Sequence, residues 1–219
     1  VGNMRRIVVV DNHKILMTYW CVVLVIATAV QRLSVLRTNA RWLIGLCFLF
    51  ATLWKCVSVD FADGSFMQYT LLNDDRFRQF ASMFAGLNDA ILSANHAAFG
   101  AVYSGESDVV ELSNSPGLVA MGHAMTWHTI LIEGAIAICF CSRHPMLHAA
   151  RNWVLIGFLF STYAVATVIG FGWLLAIMGM AQCRRSEHWA RVGYLAAFLT
   201  LQVFLIPWSR VARDILTLF

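Results

Sequence analysis

Three ionisable side chains lie within one apolar stretch of this sequence. Residues 118–140 read LVAMGHAMTWHTILIEGAIAICF and contain His123, His128 and Glu133. About 20 helical residues cross the roughly 30 Å hydrocarbon core of a bilayer, so this stretch is long enough to span a membrane. Because an ionisable group at membrane depth is costly, such a residue indicates a functional site. Proton transfer is the chemistry that histidine and glutamate side chains support.

The spacing of these residues limits what they can do together. His123, His128 and Glu133 are each five positions apart, and each step turns about 140° around a helix. The three side chains therefore point in three directions and cannot bind one metal ion without ligands from other helices. Since the remaining histidines are predicted to lie in loops, we predict no metal site. A structural role for both histidines, at an interface or in a hydrogen bond to a neighbouring helix, is the alternative.

Glu133 is predicted to face the interior of a helix bundle and to be protonated or paired there. The residues that share its side of the helix are small or carry a hydroxyl group: Gly122, Thr126, Thr129 and Ala137. Small residues let neighbouring helices approach closely.

Lys55 is the charge to consider as a partner of Glu133. Glu133 lies about 15 residues, or roughly 22 Å, from the outer end of its stretch. Lys55 lies only about 6 Å below the outer end of its own stretch. We therefore expect the two groups to differ in depth by about 15 Å, with His123 closer to the level of Lys55. Extension of Lys55 toward Asp60 or a lipid phosphate is the alternative.

The composition places the chain in a membrane. Of its 219 residues, 59% are hydrophobic and 13% are charged, whereas soluble domains have about 25% charged residues. The net charge is +4, and no Lys/Arg-rich arm is present, so we predict no nucleic-acid partner. We expect no cleavable signal peptide, because the first apolar run covers only residues 7–10 and no small-residue cleavage pattern follows.

Five apolar stretches predict an all-α, polytopic membrane helix bundle that forms a single domain over residues 1–219. The predicted spans are about 15–30, 42–59, 118–140, 153–181 and 192–208. The fourth stretch exceeds one span and falls short of two. Its glycines at 170–172 are expected to make either a kink or a break with a re-entrant second half.

Residues 60–117 are predicted to form an extramembrane helical insert between the second and third spans. This segment contains eight acidic residues and two arginines, which gives a net charge of −6. Apolar residues recur at intervals of three and four and predict an amphipathic helix on the membrane or on the protein's own spans: Phe66, Tyr69, Leu71, Phe77, Phe80, Met83 and Phe84. Asp74 or Asp75 is expected to cap its second half, and residues 87–103 predict a second helix.

The basic connections set the predicted orientation. The arginine-rich segments 32–41 and 143–151 should be cytoplasmic, so the acidic insert faces outward, and we expect a bacterial inner membrane. Five spans would place two basic groups on the outer side, which conflicts with the same rule. The first group is Arg184, Arg185 and Arg191, and the second is the basic residues near the N-terminus. The first of these conflicts disappears if the region around Gly170 re-enters the membrane.

The six cysteines are predicted to act mainly as small apolar side chains. No C-x-x-C pair exists, and the acidic insert contains no cysteine, so we predict no disulfide there. Cys139 and Cys141 form a C-x-C pair, for which a redox or metal role is the alternative.

Two stretches resemble known membrane families. Arg41, Gly45 and Lys55 in RWLIGLCFLFATLWK resemble the first helix of DoxX-like proteins, which are small four-helix membrane proteins. TWHTILIEGAIAICF resembles their next helix, and the pair of stretches also resembles the HTTM domain related to vitamin K-dependent carboxylases. The resemblance covers about residues 41–208 and implies a four-helix unit, to which the span at 15–30 is an addition.

The resemblance implies two kinds of redox role. Some DoxX-like proteins resemble subunits that support redox chemistry on the outer membrane face. The carboxylases use a lysine as a base toward a quinol-type cofactor, and Lys55 is the position that would carry this role over. A quinone is therefore the candidate cofactor.

Several functions stay open from the sequence. The first hypothesis is an accessory or structural subunit of a larger membrane complex, with the bilayer and other membrane subunits as partners, because the polar intramembrane residues are few and do not converge. The second is a membrane oxidoreductase or lipophile-binding enzyme in which Lys55 and His123 lie near the outer face, with Glu133 and His128 as a deeper proton relay. A transporter with a broken helix near Gly170 is the third. Whether the chain is an enzyme is not decided.

Overall fold

A computed structural model describes residues 12–106, 112, 115–165 and 168–205. Every regular element in this part of the chain is a helix, which confirms the predicted all-α class. The elements are α1 (Asn12–Ala29), α2 (Leu33–Val57), α3 (Val59–Ala62), α4 (Ser65–Asn73), a 3₁₀ helix (Asp75–Phe77), α5 (Arg78–Phe84), α6 (Asp89–Tyr103), α7 (Pro116–Cys141), α8 (Pro145–Val165), α9 (Ile169–Gln182) and α10 (His188–Leu205).

Two of the described helices, α2 and α7, are long and apolar enough to cross a membrane. Only 22% and 39% of their most apolar windows are buried, whereas the core helix of a soluble protein would be mostly buried. Exposed apolar side chains on these helices are consistent with contact with lipid. The apolar segments His13–Ala29 and Gly170–Gln182 are shorter. The count of five spans therefore remains a prediction.

The chain divides into two compact units. Unit 1 comprises Val1–Cys47, Cys139–Leu159 and Val168–Phe219, and unit 2 comprises Phe48–Ile138 and Phe160–Thr167. In unit 1, helix α9 packs along α10 and also touches α1. The largest fully buried apolar side chains of unit 1 are Ile44, Phe140, Leu155, Leu159, Leu175 and Tyr194.

Unit 2 has its core between the insert helices and the first half of α7. One cluster of buried residues contains Leu71, Leu72, Ala81, Ala85, Leu87, Leu92 and Leu118. A second cluster contains Phe61, Met67 and Ile130. The predicted helical insert is thus packed against α7.

The insert differs in detail from its prediction. The single amphipathic helix expected from the spacing of its apolar residues is divided into α4, the 3₁₀ helix and α5. Asp74 accounts for the division, because its carboxylate accepts the backbone N–H of Arg76 at 3.0 Å. Capping by Asp74 is therefore confirmed. The predicted second helix is α6, and Asn88 caps it by accepting the N–H of Ile91 at 2.9 Å.

The fourth apolar stretch is two helices. Helix α8 ends at Val165 and α9 begins at Ile169, so the break precedes the expected glycines, and Gly170 and Gly172 lie inside α9. A glycine inside a helix costs about 1 kcal/mol relative to alanine, which does not end a helix that packing supports.

Some predictions concern residues outside the described ranges. The basic residues near the N-terminus, Arg5 and Arg6, lie there, as do most of the loop at 107–114 and the end of the last predicted span at 206–208. The six cysteines are free thiols.

Candidate functional site

Lys55 and Glu133 form an ion pair in unit 2. Lys55 Nζ donates a hydrogen bond to Glu133 Oε2, and the two side chains are 18% and 10% exposed. The predicted interior position of Glu133 is confirmed, since the residue is buried. The expected difference in depth of about 15 Å between these groups is wrong.

The expectation assumed two straight helices whose outer ends lie at the same level. In the structure, the beginning of α7 packs on the insert instead. A Cβ atom at Gly117 would lie 2.9 Å from the carbonyl oxygen of Ala85, and Gly122 lies against Gln68. Thr52 of α2 lies beside Gly134 of α7, where a Cβ atom would lie 3.5 Å from the Thr52 methyl group. The end of α2 therefore reaches Glu133, deep in α7, and not residue 118.

Phe61 covers the ion pair on one side. Lys55 Nζ lies 5.4 Å from the centre of the Phe61 ring, within the range of a cation–π interaction. Phe61 is buried and stacks on Phe66 with the ring centroids 5.4 Å apart. The ammonium group of Lys55 thus has two partners, a carboxylate and an aromatic face.

His123 lies beside the turn between α3 and α4. Gly64 adopts φ +83° there, and a Cβ atom at this position would lie 2.9 Å from Nδ1 of His123. Glycine is therefore required both by the left-handed backbone and by the imidazole ring. Hydrogen bonds from Ser65 lower the pKa of the neighbouring Asp63, and His123 contributes a smaller effect in the same direction.

The predicted relay is not assembled. His123 and His128 are both exposed, and no hydrogen bond or ion pair described by the structure joins either of them to Lys55 or Glu133. The four candidate residues therefore separate into one ion pair and two exposed histidines. Among the described residues, no group of three or more His, Cys, Asp or Glu side chains is placed to hold a metal ion.

The ion pair limits the chemistry available at this position. Each group neutralises the other, so the pair as a whole places no net charge between α2 and α7. A proton can pass from Lys55 to Glu133 without leaving the pair. Reaction with a substrate would require one of the two groups to give up its partner.

A second polar centre lies in unit 1 and was not predicted. Arg151 is 2% exposed and donates to Gln182 Oε1 at 2.8 Å and to both carboxylate oxygens of Glu187 at 2.8 and 3.1 Å. Its Nη1 lies 2.7 Å from His148 Nδ1 and also donates to the His148 carbonyl oxygen. From the sequence, Arg151 and its neighbours predicted only the orientation of the chain in the membrane.

Asn152 extends this network toward α10. Its side-chain oxygen accepts hydrogen bonds from Gln182 and, at 3.1 Å, from the hydroxyl group of Tyr194. Asn152 Nδ2 donates to Glu187 at 3.1 Å. The signal that could have revealed the network is the set of polar residues that flank the fourth apolar stretch, Arg151 and Asn152 before it and Gln182 after it.

The environment of the network shifts the pKa values of His148 and Cys183. Burial lowers the pKa of His148, and the positive charges of Arg151, Arg41 and Arg184 lower it further. Since arginine can only donate hydrogen bonds, His148 Nδ1 is the acceptor, and the proton of the neutral ring lies on Nε2. Burial raises the pKa of the nearby Cys183 thiol to about 11, so this cysteine is not a reactive thiolate.

Comparison with known proteins finds no matching protein family, no matching curated protein and no matching solved structure.

Proposed function

We propose that this chain is an integral membrane protein that acts as an accessory or structural subunit of a larger membrane complex. The observation that carries the proposal is the ion pair of Lys55 and Glu133, in which the two ionisable groups satisfy each other. A general acid or base must be free to exchange a proton with its substrate. The pair instead joins α2 to α7, the two helices that are long and apolar enough to cross a membrane.

The insert offers a surface for partners in this role. Phe66, Met83 and Phe84 are exposed, and all three lie outside the two candidate spans. Aromatic and methionine side chains are enriched where protein surfaces meet. We propose that this surface faces outward from a bacterial inner membrane and contacts other membrane subunits or the lipid headgroups.

The test replaces both charged residues of the pair with apolar residues that preserve the fold. The double variant Lys55→Met/Glu133→Leu removes both charges together, so that neither is left unpaired. The chain and its variant are purified from native membranes in mild detergent, and bound subunits are identified by mass spectrometry. We expect the same subunits at the same stoichiometry with both, and unchanged activity of the complex. Loss of the complex's activity in a variant that still folds and assembles would overturn the accessory role.

A membrane oxidoreductase or quinone-binding enzyme is the second candidate. It is favoured by the position of Lys55, which lies at the ring of Phe61 and is the residue that the DoxX and HTTM resemblance would make a base toward a quinol. Under this hypothesis, the single variants Lys55→Met and Glu133→Gln each abolish turnover of a quinol by the purified chain. Full turnover by a folded Lys55→Met variant would exclude it.

A further inference from the structure

Three basic segments of unit 1 line one cavity. The cavity has a volume of about 610 Å³, and its lining residues come from the start of α2, the start of α8 and the segment after α9. Five arginines take part: Arg37, Arg41, Arg151, Arg184 and Arg185. These side chains are up to 148 positions apart in the chain, and the fold has placed them around one space.

The positive charge of the cavity is largely uncompensated. Glu187 pairs with Arg151, and the ion pairs that the structure describes include none of the other four arginines. Arg41 is held by backbone carbonyls, since it donates to the oxygens of Phe140 at 2.7 Å and Ser142 at 2.9 Å. A group of like charges around one cavity attracts an anion.

The cavity is lined by one buried, hydrogen-bonded arginine and by two exposed arginines at its rim. Arg151 is buried and fixed by Gln182, His148 and Glu187. Arg184 and Arg185 are exposed at the rim, where their side chains can turn toward a bound group. Guanidinium groups present parallel N–H donors that match two oxygens of a phosphate.

We propose that this cavity binds the phosphate group of an anionic ligand, either a lipid headgroup or a soluble phosphorylated molecule. The site is separate from the ion pair of Lys55 and Glu133 and holds whether or not the accessory role is correct. His148 adds a donor, because its Nε2–H is not engaged by Arg151. Leu33 and Trp42 are exposed and also line the cavity, which places apolar surface beside the arginines, as the acyl chain of a lipid would require.

Two probes test the proposal on the full chain in a neutral detergent. Phosphatidylglycerol is titrated into the micelles and its binding is followed by native mass spectrometry, with phosphatidylcholine as the neutral reference. Inorganic pyrophosphate is titrated in parallel by calorimetry. Binding of phosphatidylglycerol without pyrophosphate identifies a lipid headgroup as the source of the phosphate. Binding of pyrophosphate without phosphatidylglycerol identifies a soluble source, and binding of both shows that the phosphate group suffices.

Matched double variants separate the cavity from general charge. Arg184→Gln/Arg185→Gln removes two exposed charges from the cavity rim, and Arg32→Gln/Arg143→Gln removes two exposed arginines that do not line it. We expect at least about a tenfold loss of affinity in the first variant and less than about a threefold loss in the second. The absence of binding to either probe, or equal losses in the two variants, would overturn the proposal.

Discussion

The ion pair of Lys55 and Glu133 makes each group dependent on the other. Removal of one partner leaves a buried charge without compensation, whereas replacement of both by apolar residues is often close to neutral. Each charge of the pair therefore destabilises the fold when its partner is removed.

We predict that Glu133→Gln lowers the free energy of unfolding by about 3 kcal/mol and that Lys55→Met does the same. The double variant Lys55→Met/Glu133→Leu should lose less than either single variant. Denaturant unfolding in detergent measures the three values. As a control, Arg78→Gln breaks an exposed pair with Asp89 and should cost less than about 1 kcal/mol. Additive effects of the two single changes would show that the groups are not coupled.

His148 gives unit 1 a predicted dependence on pH. Its pKa in the folded protein is lowered by burial and by neighbouring arginines, whereas an unfolded histidine has a pKa of about 6.5. The unfolded state therefore binds a proton more readily than the folded state. The contribution of neutral His148 to the free energy of unfolding is fully present above about pH 6.5. It is lost as the pH falls through the lower pKa of the folded state.

The variant His148→Asn keeps an acceptor for Arg151 and removes the titration. We expect the melting temperature of the wild-type chain to fall between pH 7.5 and pH 5.5 by more than that of His148→Asn. The exposed residue His144 provides the control, since His144→Asn should keep the wild-type dependence. An identical decrease in the His148→Asn and wild-type proteins would contradict the assignment.

At the scale of elements, polar groups join the beginning of α8 to the end of α9. Arg151 and Asn152 on α8 bond to Gln182 at the end of α9. Tyr194 of α10 joins the same network through its hydroxyl group. The ring of Tyr194 packs directly on Gly179, where a Cβ atom would overlap it.

We expect Gly179→Ala to lower the free energy of unfolding by about 1–3 kcal/mol, because the added methyl group forces Tyr194 out of its position. Gly157 on α8 provides a matched control, since a Cβ atom there would meet nothing within 4 Å. Gly157→Ala should raise stability by up to about 1 kcal/mol through helix propensity. Thermal unfolding of both variants measures the two changes in stability. Equal destabilisation by the two substitutions would contradict the contact between Tyr194 and Gly179 as the cause.

At the scale of the whole molecule, the network bears on how the chain crosses a membrane. Arg151 and Gln182 flank the fourth apolar stretch on its two sides, and they are hydrogen-bonded to each other. A single crossing would separate them by the thickness of the bilayer, about 30 Å. Their contact supports the re-entrant alternative, in which Arg184 and Arg185 are cytoplasmic together with the segment 143–151.

Cysteine labelling tests this topology. In a chain without its native cysteines, Ser186→Cys and His144→Cys should react with a membrane-impermeant maleimide from the same side. Ser104→Cys in the acidic insert should react from the opposite side. Intact and opened membrane vesicles distinguish the two sides. Labelling of Ser186→Cys on the side of Ser104→Cys would instead support a single crossing by residues 153–181.

Local patterns in the sequence accounted for much of the fold. Apolar composition and helical periodicity predicted an all-helical chain with long apolar helices, and Asp74 marked a helix boundary correctly because a cap acts on residues next to it. The buried position of Glu133 followed from the small residues on its side of α7.

Only the tertiary structure decided which of these residues meet. Lys55 and Glu133 are 78 positions apart, and their contact depends on the insert occupying the first turns of α7. The arginines of the cavity come from α2, from the start of α8 and from the segment after α9, and the tertiary structure places them around one space. Local propensity cannot specify such contacts, since they depend on the register of packed helices and a shift of one turn, about 5.4 Å, would separate every pair.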